Sequence, residues 1–471
     1  MKRVLIFLLC GAALAAGWQA PEWVTSALIN AEALAKYFGY TASKNLAEGR
    51  VEKTKIAILG RGFSGLIEQS TGDKSLEGVW YLPKNSVFFG RFDGLSWDRT
   101  SDRSRKLAQL IWGVTGFSEE GPEFLLLNAR GAINFRTSVN TAIEWGAQVI
   151  LCTESFDFFG NMDGTGPINQ LVTKATGRRI IWVQSAGEFD GLVYTGALSF
   201  VESPSQETWV RFPQGYYLPL QVDADEAEVQ ITLNWDAYSP GEFFEGTDLD
   251  LDLQLYRWNG EKGELVKESC VRQTKNEDPG ENESNLATEK VSVTLKAQRD
   301  PYFIAVKKIR GDFGGNHNLR VTIASNMPPV WDASKQASVR PVRLLEAGRK
   351  GNIQIPADSP QVITVSTDSQ FASFGPTSDG RRKPDILFEN QAARFSDRST
   401  LDGPDVAAAH LTAWVAMALA AEPNLTSDGI RKWLARLPGG KLGQRPQPRE
   451  AGESSLLWFT PTRDELKALA D

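Results

Sequence analysis

Hydrophobic residues follow two different periods along the chain. In two separate stretches, short apolar runs of strand length alternate with segments whose apolar residues recur at helical spacing. The predicted strands begin at Ile56, Gln148, Ile180 and Val362. The predicted helices are Asp102–Val114, Val139–Ala147, Val406–Ala421 and Pro423–Leu437. A further helix is predicted in Gly160–Ala175, where a glycine-rich turn leads into it. Strands that alternate with helices in this way predict a parallel sheet with flanking helices, the α/β class.

The middle of the chain has a different pattern. Between Gly215 and Ser325, short segments alternate apolar and polar residues, and no helical spacing is found. These segments are Val229–Trp235, Leu249–Trp258, Val291–Leu295, Phe303–Lys307 and Leu319–Ala324. A period of two, interrupted by polar turns, predicts an all-β sandwich at residues 208–326, inserted between two halves of the α/β domain.

The N-terminus has the pattern of an export signal. Met1-Lys2-Arg3 supplies the charged region, and the apolar run Val4–Ala16 supplies the hydrophobic region, with small residues near its end. The run is too short to span a bilayer. We therefore expect residues 1–17 to be a signal peptide and the mature protein to be secreted, in a periplasmic or extracellular location.

Two further segments flank the predicted domains. Residues 18–50 contain a predicted N-terminal helix, Trp23–Tyr40. Residues 439–471 form a mostly polar C-terminal tail with a short predicted helix, Thr462–Leu469. Neither segment contributes to the predicted sheet.

Composition excludes some partners and a disulfide framework. The 471 residues suffice for two or three domains, and the net charge of −7 offers no basic surface for nucleic acid or an anionic membrane. Without the signal, which contains Cys10, two cysteines remain. Cys152 and Cys270 lie in different predicted domains, so we expect two free, buried thiols.

The stretch from Val362 to Ala421 contains motifs in a characteristic order. An apolar strand is followed by Gly375-Pro376-Thr377-Ser378-Asp379-Gly380-Arg381, and then by Gly403-Pro404-Asp405-Val406-Ala407-Ala408-Ala409-His410 at the start of an apolar helix. This order resembles the C-terminal catalytic segment of subtilisin-like serine proteases. Similar segments upstream, including Ser185-Ala186-Gly187-Glu188, follow the order of that family as well.

The resemblance covers roughly residues 51–200 and 355–437. It implies a subtilisin-like parallel-sheet domain in two parts, residues 51–207 and 327–438. The inserted sandwich is similar to the jelly-roll modules that accompany many bacterial secreted peptidases.

The positions that the resemblance makes catalytic carry other residues. Gly60, Arg103 and Asp405 match the catalytic Asp, His and Ser, and Glu188 matches the Asn that donates to the oxyanion. A Ser-His-Asp triad needs a histidine that takes the proton of the serine. The chain has two histidines, and neither matches that position: His317 is predicted in a surface loop, and His410 matches a structural histidine of the family.

Asp405 has two interpretations. As a carboxylate it could act as a nucleophile, as in some other hydrolases. As a residue at a helix start it could cap backbone N–H groups and interact with the helix dipole, which stabilises a helix by roughly 0.5–2 kcal/mol. The sequence favours capping, because the same contacts make a carboxylate a poor nucleophile.

Arg103, Asp405 and Glu188 converge on one site if the register of the resemblance holds. One hypothesis is a structural ion cluster with the guanidinium between two carboxylates. The rival hypothesis is that Arg103 points into solvent and forms no pair. Glu188 would in addition repel a developing oxyanion, by about 5 kcal/mol at ~3 Å and an effective dielectric of ~20.

Asp248, Asp250 and Asp252 alternate with leucines in the segment TDLDLDLQLY. The period of two places the three carboxylates on one face of a strand. They are the candidates for a Ca²⁺ site, because that ion binds several oxygen ligands. The alternative, which the pattern favours, is the solvated face of a half-buried strand. The sequence indicates no other metal or cofactor.

Two functions remain open at this stage. The favoured hypothesis is a secreted, catalytically inactive subtilisin-like peptidase homologue, a pseudoenzyme that binds a peptide, a protein or a surface polymer. The alternative is an exported serine-type endopeptidase, or a hydrolase that uses rearranged carboxylates. The substitutions at Gly60, Arg103 and Asp405 separate the two hypotheses and favour the first.

Overall fold

The computed structural model describes residues 53–63, 87–89, 101–115, 121–239, 246–276, 278–347, 350–388, 390, 392–395 and 397–436. Three predicted features lie outside these residues: the signal peptide 1–17, the helix Trp23–Tyr40 and the tail 439–471 with its helix. They stay predictions. In the described part of the chain, no helix combines the length and the apolar composition needed to cross a membrane.

Five helices lie within the described residues: α1 (Arg103–Val114), α2 (Gly131–Trp145), α3 (Pro167–Thr176), α4 (Pro404–Ala421) and α5 (Ser427–Arg436). The described strands are, in chain order, β1 (Lys55–Gly60), β2 (Val87–Phe89), β3 (Glu123–Asn128), β4 (Val149–Cys152), β5 (Ile181–Ser185), β6 (Val193–Ala197), β7 (Phe200–Glu202), β8 (Thr208–Val210), β9 (Leu218–Val222), β10 (Ala227–Trp235), β11 (Asp250–Trp258), β12 (Gly263–Ser269), β13 (Arg272–Gln273), β14 (Glu283–Ser284), β15 (Thr288–Leu295), β16 (Tyr302–Arg310), β17 (Asn318–Ser325), β18 (Val330–Asp332), β19 (Ala337–Val339), β20 (Val342–Leu344), β21 (Ile363–Thr367), β22 (Ile386–Phe388), β23 (Ala393–Arg394) and β24 (Thr400–Leu401).

Within the described part of the chain, seven parallel strands form the central sheet, in the order β2–β3–β1–β4–β5–β21–β22. The inner strands are continuous apolar runs, as expected where helices cover both faces of a sheet. β1 is typical, since every residue from Ile56 to Gly60 is buried. The predicted strands that begin at Ile56, Gln148, Ile180 and Val362 correspond to β1, β4, β5 and β21, so the predicted parallel sheet is confirmed.

Helices cover both faces of this sheet. Alternate residues of β1 enter two separate cores, with Ile58 on one side and Leu59 on the other. On the first side α1 and α4 pack against the sheet and contribute buried residues such as Leu107 and Leu411. On the second side α2 and α3 pack around the buried Trp182. This arrangement brings the N-termini of α1 and α4 to the carboxyl edge of the parallel strands.

Antiparallel strands between Val193 and Leu344 form two larger sheets. One has the order β15–β10–β17–β6, and the other is β12–β11–β16–β8–β7, with β9 joined to both β16 and β20. Both sheets contribute buried residues, such as Ile231 of β10 and Leu253 of β11, to one hydrophobic cluster. The fold is therefore mixed α/β, with a parallel sheet and several antiparallel sheets.

The antiparallel pairing is wider than the predicted insert. β6 pairs with β17 before residue 208, and β20 pairs with β9 after residue 326. β20 has only three residues, and the side chains of β6 are mostly half-buried, so the sequence shows no alternation over the length of a strand there. The domain boundaries themselves stay a prediction.

α2 begins eight residues before its predicted start. The sequence predicts Val139–Ala147, and the helix is Gly131–Trp145. Its first turns bury Phe135 but leave Ile133 82% exposed. The apolar residues there consequently show no helical period, because this end of the helix does not face the core on every turn.

The two cysteines are free, as predicted, but only one of them is buried. Cys152 lies in the core at the end of β4, and Cys270 is exposed. Partial burial and the carboxylates of Asp252 and Glu268 nevertheless raise the pKa of Cys270 to about 12. The prediction of two buried thiols is thus wrong for Cys270, which follows β12 at the margin of its sheet.

We expect His410 in α4 to make the fold sensitive to acid. Burial lowers the pKa of this histidine to about 4. Since its usual pKa is near 6.5, the unfolded chain takes up the proton first as pH falls, and stability is lost between pH 6.5 and 4. From pH 6.5 to 5 the wild type should lose about 2 kcal/mol more unfolding free energy than His410→Gln.

Urea denaturation of both proteins at each pH measures this difference. The other titratable groups are common to both proteins, so the difference isolates His410. Equal losses in the two proteins would contradict the assignment.

Candidate functional site

A cleft of about 1060 Å³ lies where the parallel strands β1, β4 and β5 end. One wall is built from the residues after these strands, including Arg61, Glu154 and Glu188, together with the first residues of α1 and α4. The other wall is the antiparallel sheet of β10, β15 and β17. A crevice outside the carboxyl ends of parallel strands is the usual location of a binding site in α/β folds.

The antiparallel wall faces the cleft with its polar side. In β10, Val229, Ile231 and Leu233 enter the hydrophobic cluster, so the residues between them point the other way. Glu228 and Gln230 line the cleft, and farther along the strand Thr232 and Asn234 are buried. Thr232 donates to Asp157 Oδ2 at 2.6 Å, and Asn234 donates to the carbonyl of Gly160 at 3.0 Å. The period-two pattern of the sequence therefore decides which side of this sheet borders the site.

At the end of β1, the structure leaves no room for a side chain on residue 60. A Cβ atom on Gly60 would clash with Ser104 Oγ and would lie 2.7 Å from Thr153 Oγ1. Ser104 is held in this place because its hydroxyl donates to the carbonyl of Arg61 at 2.6 Å. The hydroxyls of Ser104 and Thr153 thus fill the space that an acidic side chain would need.

Arg103 and Asp405 form an ion pair across the N-termini of α1 and α4. Arg103 Nε lies 2.6 Å from Asp405 Oδ2. The negative charge of Asp405 raises the pKa of Arg103 above its usual value, against the opposing effect of burial. Ser185, at the end of β5, donates to the other carboxylate oxygen, Oδ1, at 2.6 Å. The predicted pair of Arg103 and Asp405 is present, and Arg103 does not point freely into solvent.

The predicted capping role of Asp405 is wrong. Asp405 is the second residue of α4, and the N-cap residue is Gly403, which makes no side-chain hydrogen bond to the helix. Both carboxylate oxygens of Asp405 are already bound to Arg103 and Ser185. The negative charge still lies in the first turn of the helix, where the helix dipole favours it.

Glu188 lies beside this pair. It is exposed in the cleft, and partial desolvation together with the charges of Asp405 and Asp402 raises its pKa. Ser369 donates to Glu188 Oε1 at 2.9 Å. The charge of Glu188 contributes to the raised pKa of Arg103. Among the described residues, however, Arg103 forms its ion pair with Asp405. The predicted cluster is thus a pair with Glu188 as a neighbour.

Gly403 allows Glu188 to approach the start of α4. Its φ is +84°, in the region that favours glycine, and a Cβ atom there would lie 3.1 Å from Glu188 Oε1. From the opposite side, Arg340 donates to the carbonyl of Glu188 at 2.8 Å. The backbone at residue 188 is therefore held from the antiparallel region as well.

The two histidines lie away from the cleft lining. His317 Nδ1 lies 2.7 Å from Asp236 Oδ1, in the antiparallel region, and the ring packs edge-on against Phe313. It lies in the loop between β16 and β17, as the sequence predicts, and its side chain is half-buried and anchored. His410 lies within α4, in its second turn.

Asp248, Asp250 and Asp252 do not assemble into a metal site in this structure. Over the described residues, no group of three or more His, Cys, Asp or Glu side chains could hold a metal ion. Asp248 lies 3.9 Å from both Lys275 and Arg310. Asp250 is buried, whereas Asp248 is exposed, so the three carboxylates do not share one solvated face.

Three side chains of the site are not predicted by the sequence. Ser185 and Ser369 bind the two carboxylates, and Arg340 fixes the backbone of Glu188. Ser185 could have been found, because it ends a buried parallel strand three residues before Glu188. Ser369 and Arg340 lie in irregular segments, and no periodic pattern there indicates a neighbour.

Comparisons with known proteins show a distant likeness of fold. No protein-family model matches the chain, and no curated protein matches it. Among solved structures, the CspB protease of Clostridium perfringens is 12% identical, with a TM-score of 0.48, over 86% of this chain and 89% of that chain. MycP1 from Mycobacterium smegmatis is 13% identical, with a TM-score of 0.36, over 92% and 89%.

The PatG macrocyclase in complex with peptide is 9% identical, with a TM-score of 0.32, over 83% of this chain and 86% of that chain. At these identities and TM-scores, the likeness does not identify the family or the activity of the chain.

We expect Gly60→Ala to destabilise the fold by about 1–3 kcal/mol, because the added methyl group overpacks the end of β1. Gly315→Ala is the matched control, since a Cβ atom there meets no other atom within 4 Å. Ser104→Ala in the Gly60→Ala background should restore part of the loss, because it removes the clashing hydroxyl. Urea denaturation measures all three proteins. Equal costs for Gly60→Ala and Gly315→Ala would show that the space at residue 60 is open.

Proposed function

We propose that this chain is a catalytically inactive subtilisin-like protein that binds a peptide segment in the cleft beside Arg103 and Asp405. The observation that carries the proposal is the ion pair between these two residues, 2.6 Å long. The pair lies where the motif order would place the general base and the nucleophile. Neither a guanidinium nor a carboxylate that is paired with it replaces the histidine that takes the proton of the serine in a triad.

The surroundings of the pair support the absence of catalysis. The position that would carry the orienting carboxylate is Gly60, and Ser104 and Thr153 fill the adjoining space. Ser185 is hydrogen-bonded to the pair, since its hydroxyl donates to Asp405. The charge of Asp405 is neutralised by Arg103. A carboxylate already paired with a guanidinium is a weak base.

Glu188 supports the same conclusion. Acyl transfer requires donors that point at the oxygen on which negative charge develops. In its charged form, Glu188 would instead oppose that charge, by about 5 kcal/mol at ~3 Å and an effective dielectric of ~20. An oxyanion hole accounts for most of the activity that enzymes retain when their triad is removed, so little residual activity is expected.

The cleft is nevertheless suited to binding. Its volume of about 1060 Å³ is at the upper end for ligand sites in proteins. Phe156, Phe158 and Phe189 contribute apolar surface, while Ser292 and Thr294 of β15 contribute hydroxyls on the opposite wall. A combination of aromatic surface with polar groups on both walls fits an extended peptide, which carries side chains and a polar backbone together.

Three further features belong to this proposal. The two antiparallel sheets share one core, which supports a sandwich-like module between the halves of the α/β domain. The signal at residues 1–17 supports export to a periplasmic or extracellular location. The calcium candidates Asp248, Asp250 and Asp252 are not needed for peptide binding in the cleft.

A fluorophosphonate probe tests the absence of catalysis. The probe reacts with activated serines, so the full-length protein should remain unlabelled, and it should not cleave casein. Ser185→Ala is the control that locates any reaction, since Ser185 is the serine bonded to Asp405. Labelling that disappears in this variant would establish an active serine and would support the exported endopeptidase instead.

Fluorescence anisotropy tests the binding. We expect a pool of fluorescein-labelled ten-residue casein peptides to bind saturably. Ser292→Arg should weaken binding about tenfold, because it places a bulky side chain at an exposed position in the cleft. Ser199→Arg adds the same side chain at an exposed serine outside the cleft and should change nothing. Absence of saturable binding, or equal effects of both variants, would overturn the proposed function.

A further inference from the structure

The outward side of the larger antiparallel sheet carries a row of apolar side chains that takes no part in the cleft. Strand register places Leu265 of β12 opposite Tyr256 of β11, Tyr256 opposite Phe303 of β16, and Phe303 opposite Pro219 of β9. Pro219 is buried, so the exposed part of the row crosses the three neighbouring strands β12, β11 and β16. At about 4.8 Å between strands, this part is ~10 Å long.

Two further aromatic rings lie beside this row. Trp258 lies two residues beyond Tyr256 on β11, on the same side of the sheet, and is 41% exposed. Tyr217 is 39% exposed and meets Phe303 edge to face, with ring centroids 4.7 Å apart. Leu265 is 49% exposed. Four aromatic residues and one leucine thus form a continuous surface, which we name the aromatic row.

The row is not part of the hydrophobic core. Along β11, Leu251, Leu253 and Leu255 enter the cluster shared by the two antiparallel sheets, whereas Gln254 and Tyr256 alternate with them and are only half-buried. The aromatic rings therefore lie on the side of the sheet opposite the shared core. Since burial in the core does not account for these rings, their exposure requires another explanation.

Hydrogen-bonding groups lie directly beside the rings. Tyr256 donates its hydroxyl to Gln254 Oε1 at 2.7 Å, and Gln254 donates to Glu268 Oε2 at 3.0 Å. These three side chains form a chain of polar groups across β11 and β12. Carboxylate, amide and phenol oxygens are acceptors with free lone pairs, so they can accept further hydrogen bonds from a ligand.

Two ion pairs lie near the row. Arg257 pairs with Glu264 at 2.8 Å, and Lys307 pairs with Glu207 at 2.6 Å. Lys307 also lies over the ring of Trp209, 5.8 Å from its centroid. With these two cations paired and Glu268 adding a negative charge, the row has little attraction for an anionic ligand or an anionic membrane. The charge pattern thus disfavours an anionic partner.

We propose that the aromatic row binds an uncharged polysaccharide chain. One face of a sugar ring presents C–H bonds, which are attracted to the negative face of an aromatic ring. The hydroxyl groups at the ring edge donate and accept hydrogen bonds, which matches the polar chain of Tyr256, Gln254 and Glu268. An extended row of rings with polar groups along one side suits a linear polymer of such units. This site is independent of the peptide cleft.

Affinity electrophoresis tests the proposal. The full-length protein is run through native gels that contain hydroxyethyl cellulose, laminarin or dextran, all uncharged, and through gels without polymer. Migration should be retarded by at least one of the three. Trp258→Ala and Tyr217→Ala should each weaken the association about tenfold, because each removes a stacking surface. Both positions are exposed, and thermal denaturation confirms that each variant is folded.

Trp331→Ala is the matched control, since Trp331 is 64% exposed on β18, away from the row. It should leave retardation unchanged. Ser292→Arg, in the peptide cleft, should also leave it unchanged, so that this proposal and the proposed function fail separately.

Absence of retardation in all three uncharged polymers would overturn the proposal. Retardation that Trp258→Ala leaves unchanged would also overturn it. A dimer in sedimentation velocity that Trp258→Ala dissociates, without any polysaccharide binding, would assign the row to self-association instead. Binding of a proline-rich peptide to the row in place of the polymers would contradict the proposal too.

Discussion

The ion pair between Arg103 and Asp405 holds the two helix starts of the site together. α1 and α4 lie on the same face of the parallel sheet, and both begin at its carboxyl edge. An arginine at a helix N-terminus is disfavoured by the helix dipole, whereas an aspartate there is favoured. The ion pair offsets the unfavourable interaction of Arg103 with the helix dipole, and Ser185 donates to the remaining carboxylate oxygen of Asp405. The site is thus stable as an electrostatic unit without a substrate.

The antiparallel region completes the cleft because its strands alternate. One side of β10 supplies the shared core, and the other side borders the loops that follow the parallel strands. Arg340 adds a contact to the backbone of Glu188. The same alternation leaves the aromatic row on the far side of the other sheet. A single sequence period therefore accounts for a core, a cleft wall and an outward surface.

Sequence analysis predicted those elements whose apolar residues face a core throughout. β1, β4, β5, β21 and α4 belong to this group, and the motif order also predicted the contact between Arg103 and Asp405. The sequence did not predict elements that are partly buried and partly exposed. The start of α2 bears the exposed Ile133, the residues of β6 are mostly half-buried, and β20 is too short to be recognised. Asp405 was expected to cap α4, but tertiary partners, Arg103 and Ser185, bind both its oxygens. Local sequence contains no information on partners that lie some two hundred or more residues away.

The most direct test of the account is a double-mutant cycle on the ion pair. Unfolding free energies of the wild type, Arg103→Met, Asp405→Asn and the double variant yield the coupling energy between the two side chains. Arg103 is 39% exposed, so solvent screening reduces the interaction, and the account predicts a coupling of about 1 kcal/mol that decreases in high salt. A coupling indistinguishable from zero at low salt would contradict the claim that this pair organises the site.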